Sequence, residues 1–412
     1  MRTESRPAHR WDPIVLFVIG VTLFAALIRF PRLHTPAEMI FDEIYYARAA
    51  QQMLAGQEAT EERTHPPLSK LIIAAGIALA GDHAVGWRVA SAVAGTLLVG
   101  VTYTLAVTLF DDRFVAGASA MLVALDGLVL VESRIAKPDI FLTLFLFTSF
   151  TAFWRYLRGR RVHWIYLSGV AAGAALATKW TTVVPLSVIP VTLVLFWSWG
   201  RVSLTRRDLW HLAAAFTVTP VIIYLLTYIP YFALGHGVAD FVRHQVSMYE
   251  FHSTLTEGHL YQSRWWSWPL LIRPIWYQYY EAAPHVYRGI LAIGNPIIWW
   301  ASLPAFAVAA ARAVRGRALP ETFLVAGFVL SYLQYAFIPR ALFLYHFLPA
   351  LLFLIMALAA GLARVRARVG SGVVLAFVVL VAGWLVAFYP VLSALPIAAS
   401  RYWRLMWFGS WI

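Results

Sequence analysis

The chain has 412 residues, of which 61% are hydrophobic and only 13% charged, with a mean hydropathy of +0.69. A soluble globular chain is roughly half apolar and about a quarter charged, so this composition excludes a soluble protein and indicates an all-α polytopic membrane protein. The net charge of +13 comes from arginines clustered between apolar stretches, which the positive-inside rule explains without nucleic acid, and the absence of cysteine excludes disulfide and thiolate chemistry.

Arg2, Arg6 and Arg10 precede an apolar run from Ile14 to Phe30 that has no small-residue cleavage site after it. We expect an uncleaved first span over 14–30 with its N-terminus in the cytoplasm. Residues 31–85 form a polar first external loop. It carries the adjacent carboxylates Asp42 and Glu43, then His65-Pro66-Pro67-Leu68. The apolar run from Leu68 to Ala80 reaches only about 20 Å as a helix, short of a hydrocarbon core of about 30 Å, so it is expected to lie in the interface. Further spans are expected at 86–110, 114–131, 139–157, 163–178, 181–199, 209–233, 289–312, 320–338, 341–362 and 371–394, about eleven with the first.

Charge tests that count. If 68–80 does not cross, the clusters Arg158 to Arg161, Arg201 to Arg207, Arg312 to Arg317 and Arg364 to Arg368 all fall on the cytoplasmic side; if it crosses, all move outside. The first arrangement puts Glu132 to Asp139, Thr178 to Trp180, the long 235–288 loop and Pro339-Arg340 on the external face with Asp42. Trp265, Trp266 and Trp268 suit a loop resting on the membrane. No soluble domain stands out, so 1–412 is read as a single transmembrane domain in the plasma membrane, with its polar function external.

Two consecutive side chains point in different directions, so Asp42 and Glu43 need not share a role. One suits a general base for a hydroxyl and the other an orienting group; equally, the pair suits capping of a helix starting near Ile44. Pro66 and Pro67 stiffen the backbone and would position His65 and Lys70, or simply start a helix. Arg88, Arg134 and Lys179 lie on the same face as Asp42, beside Asp139. Arginine forks fit phosphate oxygens, although single arginines at a membrane edge usually snorkel. His236, His244, His252, His259 and His285 are irregularly spaced with no HExxH pattern, so they read as interfacial or substrate-contacting residues and no metal site is assigned. There is no Gly-rich phosphate loop and no GxSxG.

The ordered pieces resemble the protein O-mannosyltransferase family of GT-C glycosyltransferases. They are Phe41-Asp42-Glu43, His65 to Lys70, Arg88, Ser133-Arg134-Ile135 to Asp139, Lys179-Trp180, Trp268-Pro269, Arg273-Pro274, Gly294-Asn295-Pro296 with Trp299-Trp300, and Arg340 with Tyr345-His346. The resemblance runs from about 40 to 350. It implies the GT-C fold, with eleven spans and surface helices in the first external loop, and inverting transfer of mannose from a polyprenyl-phosphate carrier to Ser or Thr of a translocating polypeptide. By resemblance Asp42 is the base, Glu43 holds the acceptor, Arg88 grips the carrier phosphate, Arg134 and Asp139 support the site, and His65 lines it. Lys70, Lys179, Asn295, Arg340 and His346 are the remaining substrate-binding candidates. Lys137-Pro138 replaces the family's usual apolar pair before Asp139, and there is no room for the β-trefoil domain of eukaryotic members, so the compact prokaryotic type fits. Some members dimerise, which makes a homo-oligomer an alternative; divalent-metal dependence stays open.

Three other readings compete, one of them a catalytically dead scaffold, against which intact Asp42, Arg88 and His65 argue. A GT-C enzyme with a lipid or cell-wall glycan acceptor needs the same groups at the sugar and phosphate. A transporter would place ionisable groups at mid-membrane within inverted repeats; Asp126 is the main acid inside a span and no repeat is evident.

Overall fold

The computed structural model describes residues 13–255 and 258–412; Arg2, Arg6 and Arg10 lie outside the described residues. In chain order the helices are α1 (Pro13–Arg29), α2 (Glu43–Leu54), α3 (Leu68–Ala80), α4 (Ala84–Phe110), α5 (Arg113–Ala124), α6 (Gly127–Glu132), α7 (Asp139–Gly159), α8 (Val162–Leu176), α9 (Val183–Leu186) and α10 (Val188–Ser198). They continue with α11 (Arg206–Ala213), α12 (Thr219–Thr227), α13 (Ile229–Ala233) and α14 (Val238–Thr254). After strands β1 (Ile275–Ala283) and β2 (Val286–Ala292) come α15 (Pro296–Gly316), α16 (Leu319–Leu333), α17 (Leu348–Val369) and α18 (Ser371–Leu392), then β3 (Ile397–Ala398) and α19 (Ala399–Leu405).

Among the described residues, seven continuous helical stretches are long and apolar enough to cross a membrane: Ala84–Phe110, Asp139–Gly159, Trp180–Ser198, Arg206–Thr227, Pro296–Gly316, Leu344–Val369 and Ser371–Leu392. Seven of the expected spans overlap these stretches, those at 14–30, 114–131 and 163–178 overlap shorter apolar helices, and that at 320–338 overlaps α16. The run 68–80 forms α3, a 13-residue helix packed between α2 and α4. The helix α17 sits at the centre, buried on all sides from Leu348 to Ala360. A helix apolar all round belongs in an interior. The helices α12 and α18 expose aliphatic faces instead, Val221, Ile222 and Leu225 on one and Leu375, Val379 and Leu380 on the other. These faces suit lipid.

Small residues set the helix spacing. Ser149 on α7 donates to the Ser168 carbonyl of α8 at 2.9 Å. At the next residue, a Cβ at Gly169 would lie 2.0 Å from the Ala215 carbonyl oxygen. That oxygen is backbone and cannot step aside. Helix propensity alone favours alanine over glycine by about 1 kcal/mol. We expect the opposite sign here: Gly169→Ala should lose on the order of 1–3 kcal/mol through overpacking, read as a lowered midpoint in thermal unfolding of the purified protein.

The all-α expectation misses a small antiparallel sheet of order β1-β2-β3. Ile275 pairs with Ala292 and Glu281 with Tyr287, and Val286 pairs onward with Ala398. The span expected at 289–312 therefore starts late. Residues 289–292 end β2, and Asn295 caps α15 by accepting from the Ile297 amide at 3.1 Å. Pro296 then occupies the first helical position, where its missing N–H costs nothing. The tryptophans of the long loop also divide: Trp266 is exposed, whereas Trp268 is core and stacks on His346 with ring centroids 6.1 Å apart.

Candidate active site

The polar residues that the sequence scatters along the chain converge on one cavity of about 240 Å³. Asp42, His65, Asp139, Lys179, Arg340 and His346 all line it. They come from the start of α2, the loop before α3, the start of α7, the turn after α8, the turn after α16 and the entry to α17. Glu43, Lys70, Arg88, Arg134 and Asn295 do not line it.

Asp42 sits at the N-terminal end of α2 but makes no capping bond. Among the described residues its half-buried carboxylate has no hydrogen-bond or ion-pair partner, so the capping alternative fails. The turn that presents it is strained: Phe41 has a left-handed φ of +47°, costly for a bulky residue. Packing holds it there, with the Phe41 ring stacked on Tyr277 at 4.4 Å. Burial pushes the Asp42 carboxyl above the usual aspartate range; Asp139 adds to this, while Lys137 and Lys179 oppose it. A carboxylate raised towards neutrality and free of partners suits a general base.

Glu43 has the opposite fate. It is fully buried and takes a two-pronged bond from Arg88, Nε to Oε1 and Nη2 to Oε2, both at 2.7 Å. The backbone amides of Ile40 and Ala136 donate to it at 3.1 and 3.0 Å. The other Arg88 donors reach the carbonyls of Leu33, Pro36 and Glu38. All five N–H groups of Arg88 are thereby engaged. Glu43 therefore faces Arg88, and the Arg88 donors are all engaged within the protein. The pair ties the 33–43 loop to α4 and to the 132–139 segment. Arg134 acts similarly, donating to the carbonyls of Arg29 and Pro31. Asn295, besides capping α15, donates to the Val381 carbonyl at 3.0 Å and is fully buried, so it joins α15 to α18.

Lys70 is also spent on structure. Its ammonium bonds the Glu62 carboxylate at 2.6 Å and the carbonyls of Glu62 and His65 at 2.8 Å. Burial would raise Glu62, but Lys70 and His65 outweigh it and hold that carboxyl down to about 2. This clamp fixes the backbone at His65. Burial keeps His65 neutral, down to about 3, and likewise His252, down to about 4. Arg340 Nη1 donates to His252 Nδ1 at 2.9 Å, which places the single His252 proton on Nε2, 2.7 Å from the Thr64 carbonyl. Lys179 bonds Asp139 Oδ1 at 3.1 Å, and burial draws its ammonium below the ordinary lysine value. Lys179 and Arg340 thus supply cationic lining to the cavity that Asp42 also lines.

A second opening, of about 340 Å³, shares His65, Lys179, His252 and Arg340 with the first. Its outer rim is apolar, with Trp180, Ile338 and the strongly exposed Phe337. Tyr277 carries no signal in the sequence, and Glu132 and Lys137 figure there only as members of the 132–139 segment. Tyr277 comes from β1 and Glu132 from α6, 145 residues apart, joined by a hydrogen bond from the tyrosine hydroxyl to the carboxylate. No local pattern signals such a pairing. Among the described residues no three His, Asp or Glu side chains gather as a metal site.

Three family models match along the chain. Two are described as dolichyl-phosphate-mannose-protein mannosyltransferase, over residues 19–87 and 64–226, and one as the C-terminal four-transmembrane region of protein O-mannosyltransferase, over 237–411. The chain is 26% identical to a polyprenol-phosphate-mannose–protein mannosyltransferase of Mycolicibacterium smegmatis, covering 95% of this chain and 92% of the relative. It is 25% identical to the protein of the same description from Corynebacterium glutamicum, covering 98% and 93%. Among solved structures, the S. cerevisiae protein O-mannosyltransferase Pmt1-Pmt2 complex bound to the sugar donor matches with a TM-score of 0.84 at 15% identity, over 98% of this chain and 93% of that one. ArnT from Cupriavidus metallidurans matches with a TM-score of 0.62 at 17% identity, over 91% and 64%. These two likenesses establish the GT-C fold.

Proposed function

We propose that this chain, which belongs to the protein O-mannosyltransferase family, moves mannose from a polyprenyl-phosphate carrier to a Ser or Thr hydroxyl of a polypeptide. The observation that carries the mechanism is the unpartnered Asp42 carboxylate lining one cavity with Lys179 and Arg340. Asp42 takes the proton of the acceptor hydroxyl. The freed oxygen attacks the anomeric carbon, and the bond from that carbon to the phosphate oxygen breaks. The phosphate leaves with the electron pair, so a single displacement inverts the sugar. Lys179 and Arg340 meet the charge growing on the phosphate, and Asp139 holds Lys179 in place. His65 and His252, both neutral, line the cavity without adding charge. The apolar rim at Trp180, Phe337 and Ile338 is where an isoprenoid chain can lie beside the headgroup.

The arginine clusters support a plasma-membrane enzyme with this cavity on the external face. The segments that would share that face, around Asp42, Asp139, Lys179 and Arg340, are the ones that meet in the cavity.

Removing one cation should cost the departing phosphate its stabilisation. Lys179→Ala and Arg340→Ala are each expected to lower kcat on the order of 100-fold, the usual cost of losing one preorganised donor at a site of developing charge. Steady-state transfer from polyprenyl-phosphate mannose to a Ser/Thr-rich peptide measures this. Unchanged kcat in both variants would remove the cationic lining from the mechanism. Transfer to added membrane lipid but never to peptide would instead make the acceptor a lipid.

A further inference from the structure

Behind the cavity lining, next to Pro138 and Asp139, lies a positive charge that the transfer step leaves unused. Lys137 is fully buried. Its ammonium lies 3.2 Å from Glu132 Oε2 and 3.4 Å from Asp139 Oδ2, and it donates to the Tyr277 hydroxyl at 3.0 Å. It also sits 3.1 Å from the centre of the Tyr345 ring, with the rings of Tyr277 and Phe41 at 5.1 and 5.8 Å. One carboxylate with a hydrogen bond would satisfy a buried lysine. Three aromatic rings around the same ammonium go beyond that need.

Those rings are the ones that hold the catalytic turn. Phe41 stacks on Tyr277 at 4.4 Å and meets Tyr345 edge-on at 6.3 Å. The cation binds the faces of Tyr277 and Tyr345 by cation–π attraction, which is strongest where water is excluded. Locking these two rings locks the ring of Phe41 between them. Phe41 carries the left-handed backbone, and the next residue is Asp42.

We propose that Lys137 is a positioning residue for the transfer reaction: its caged ammonium fixes the Phe41–Asp42 turn and sets a permanent positive charge beneath the Asp42 carboxylate. The inference rests on the reading of Asp42 as the base. Lys137 itself does not line the cavity, although its neighbours Pro138 and Asp139 do. Its role is therefore exerted through Asp42 and not on substrate.

The charges around this pair are few. Asp42 faces Lys137, Asp139, Lys179 and His259. Lys137 faces Glu132, Asp139 and Asp42, which together outweigh burial and hold its ammonium above the ordinary lysine range. Asp139 is shared with Lys179. Without Lys137, burial and Asp139 act on Asp42 with less opposition, so its proton is held to higher pH.

The test is a pH–rate profile on the full-length protein in detergent, with polyprenyl-phosphate mannose and a Ser/Thr-rich peptide. Wild type is compared with Lys137→Arg, Lys137→Met and the double variant Glu132→Gln/Lys137→Met. The double variant removes both buried charges, so neither is left alone if Lys137→Met does not fold. We expect the acid limb of kcat to move up by about one pH unit or more in the methionine variants, as for loss of an opposite charge near a carboxylate. Donor KM should stay within about twofold, because the loss falls on the chemical step. Lys137→Arg should keep the acid limb of the wild type. A folded double variant whose acid limb and kcat match wild type would show that Lys137 only fills the core, and would overturn the proposal while leaving the transfer reaction intact. No transfer by the wild type would overturn both.

Discussion

Asp42→Asn should lower mannosyl transfer on the order of 1,000-fold, with little change in fold, the middle of the range for loss of a positioned general base. The amide keeps the size of the carboxylate but cannot accept the hydroxyl proton. Stability should hold because the Asp42 side chain makes no hydrogen bond or ion pair among the described residues, so none is broken. The pH dependence has a definite sign. Burial raises the Asp42 carboxyl, so the active, ionised form is lost as pH falls through that raised value, and activity should drop on the acid side earlier than for an ordinary aspartate. A pH series of initial rates on wild type, with Asp42→Asn as the blank, reads both effects. Equal rates in the two proteins would assign the base elsewhere.

Arg88→Ala should fail for a different reason. Glu43 would be left as a charge at zero exposure, with only two backbone amides against it. Breaking one side of a buried pair costs about 3–5 kcal/mol, a large share of the stability of an ordinary domain. The expected result is poor yield and a markedly lower unfolding midpoint, with activity lost together with the fold. Glu43→Gln/Arg88→Met removes both charges and should recover much of the stability, since well-packed neutral replacements of buried pairs are often tolerated. If Arg88 instead gripped the carrier, Arg88→Ala would fold normally and lose donor affinity. Thermal unfolding and donor KM measured on the same preparations separate the two.

The contrast between these adjacent residues shows what the sequence could and could not convey. That the Asp42-Glu43 pair stands out is legible, because adjacent carboxylates in a polar island beside an apolar span suit either a helix cap or a reacting site. Which of the two faces the cavity is not, because it depends on the left-handed turn at Phe41 and on Arg88 reaching back 45 residues. The helices were legible from apolar runs, and the length of 68–80 set α3 apart as the short one. The sheet was not: Ile290, Leu291 and Ala292 read equally well as the start of the following helix. Asn295 looked functional because it lies in a polar Gly-Asn-Pro break, yet it caps α15 and bonds Val381 of α18. Lys137 was visible only as a departure from the family pattern, since its cage is assembled from residues 41, 277 and 345. Burial and long-range pairing decide all of these, and neither has a local signature.

The central claim is that Asp42 activates a polypeptide hydroxyl for transfer from a lipid-phosphate sugar. The most direct measurement is mass spectrometry of a Ser/Thr-rich peptide incubated with polyprenyl-phosphate mannose and purified protein, wild type beside Asp42→Asn. We predict peptide carrying one hexose at Ser or Thr with the wild type and almost none with the variant. Equal hexose on the peptide with both proteins, or donor consumption by the wild type with no modified peptide, would contradict the account.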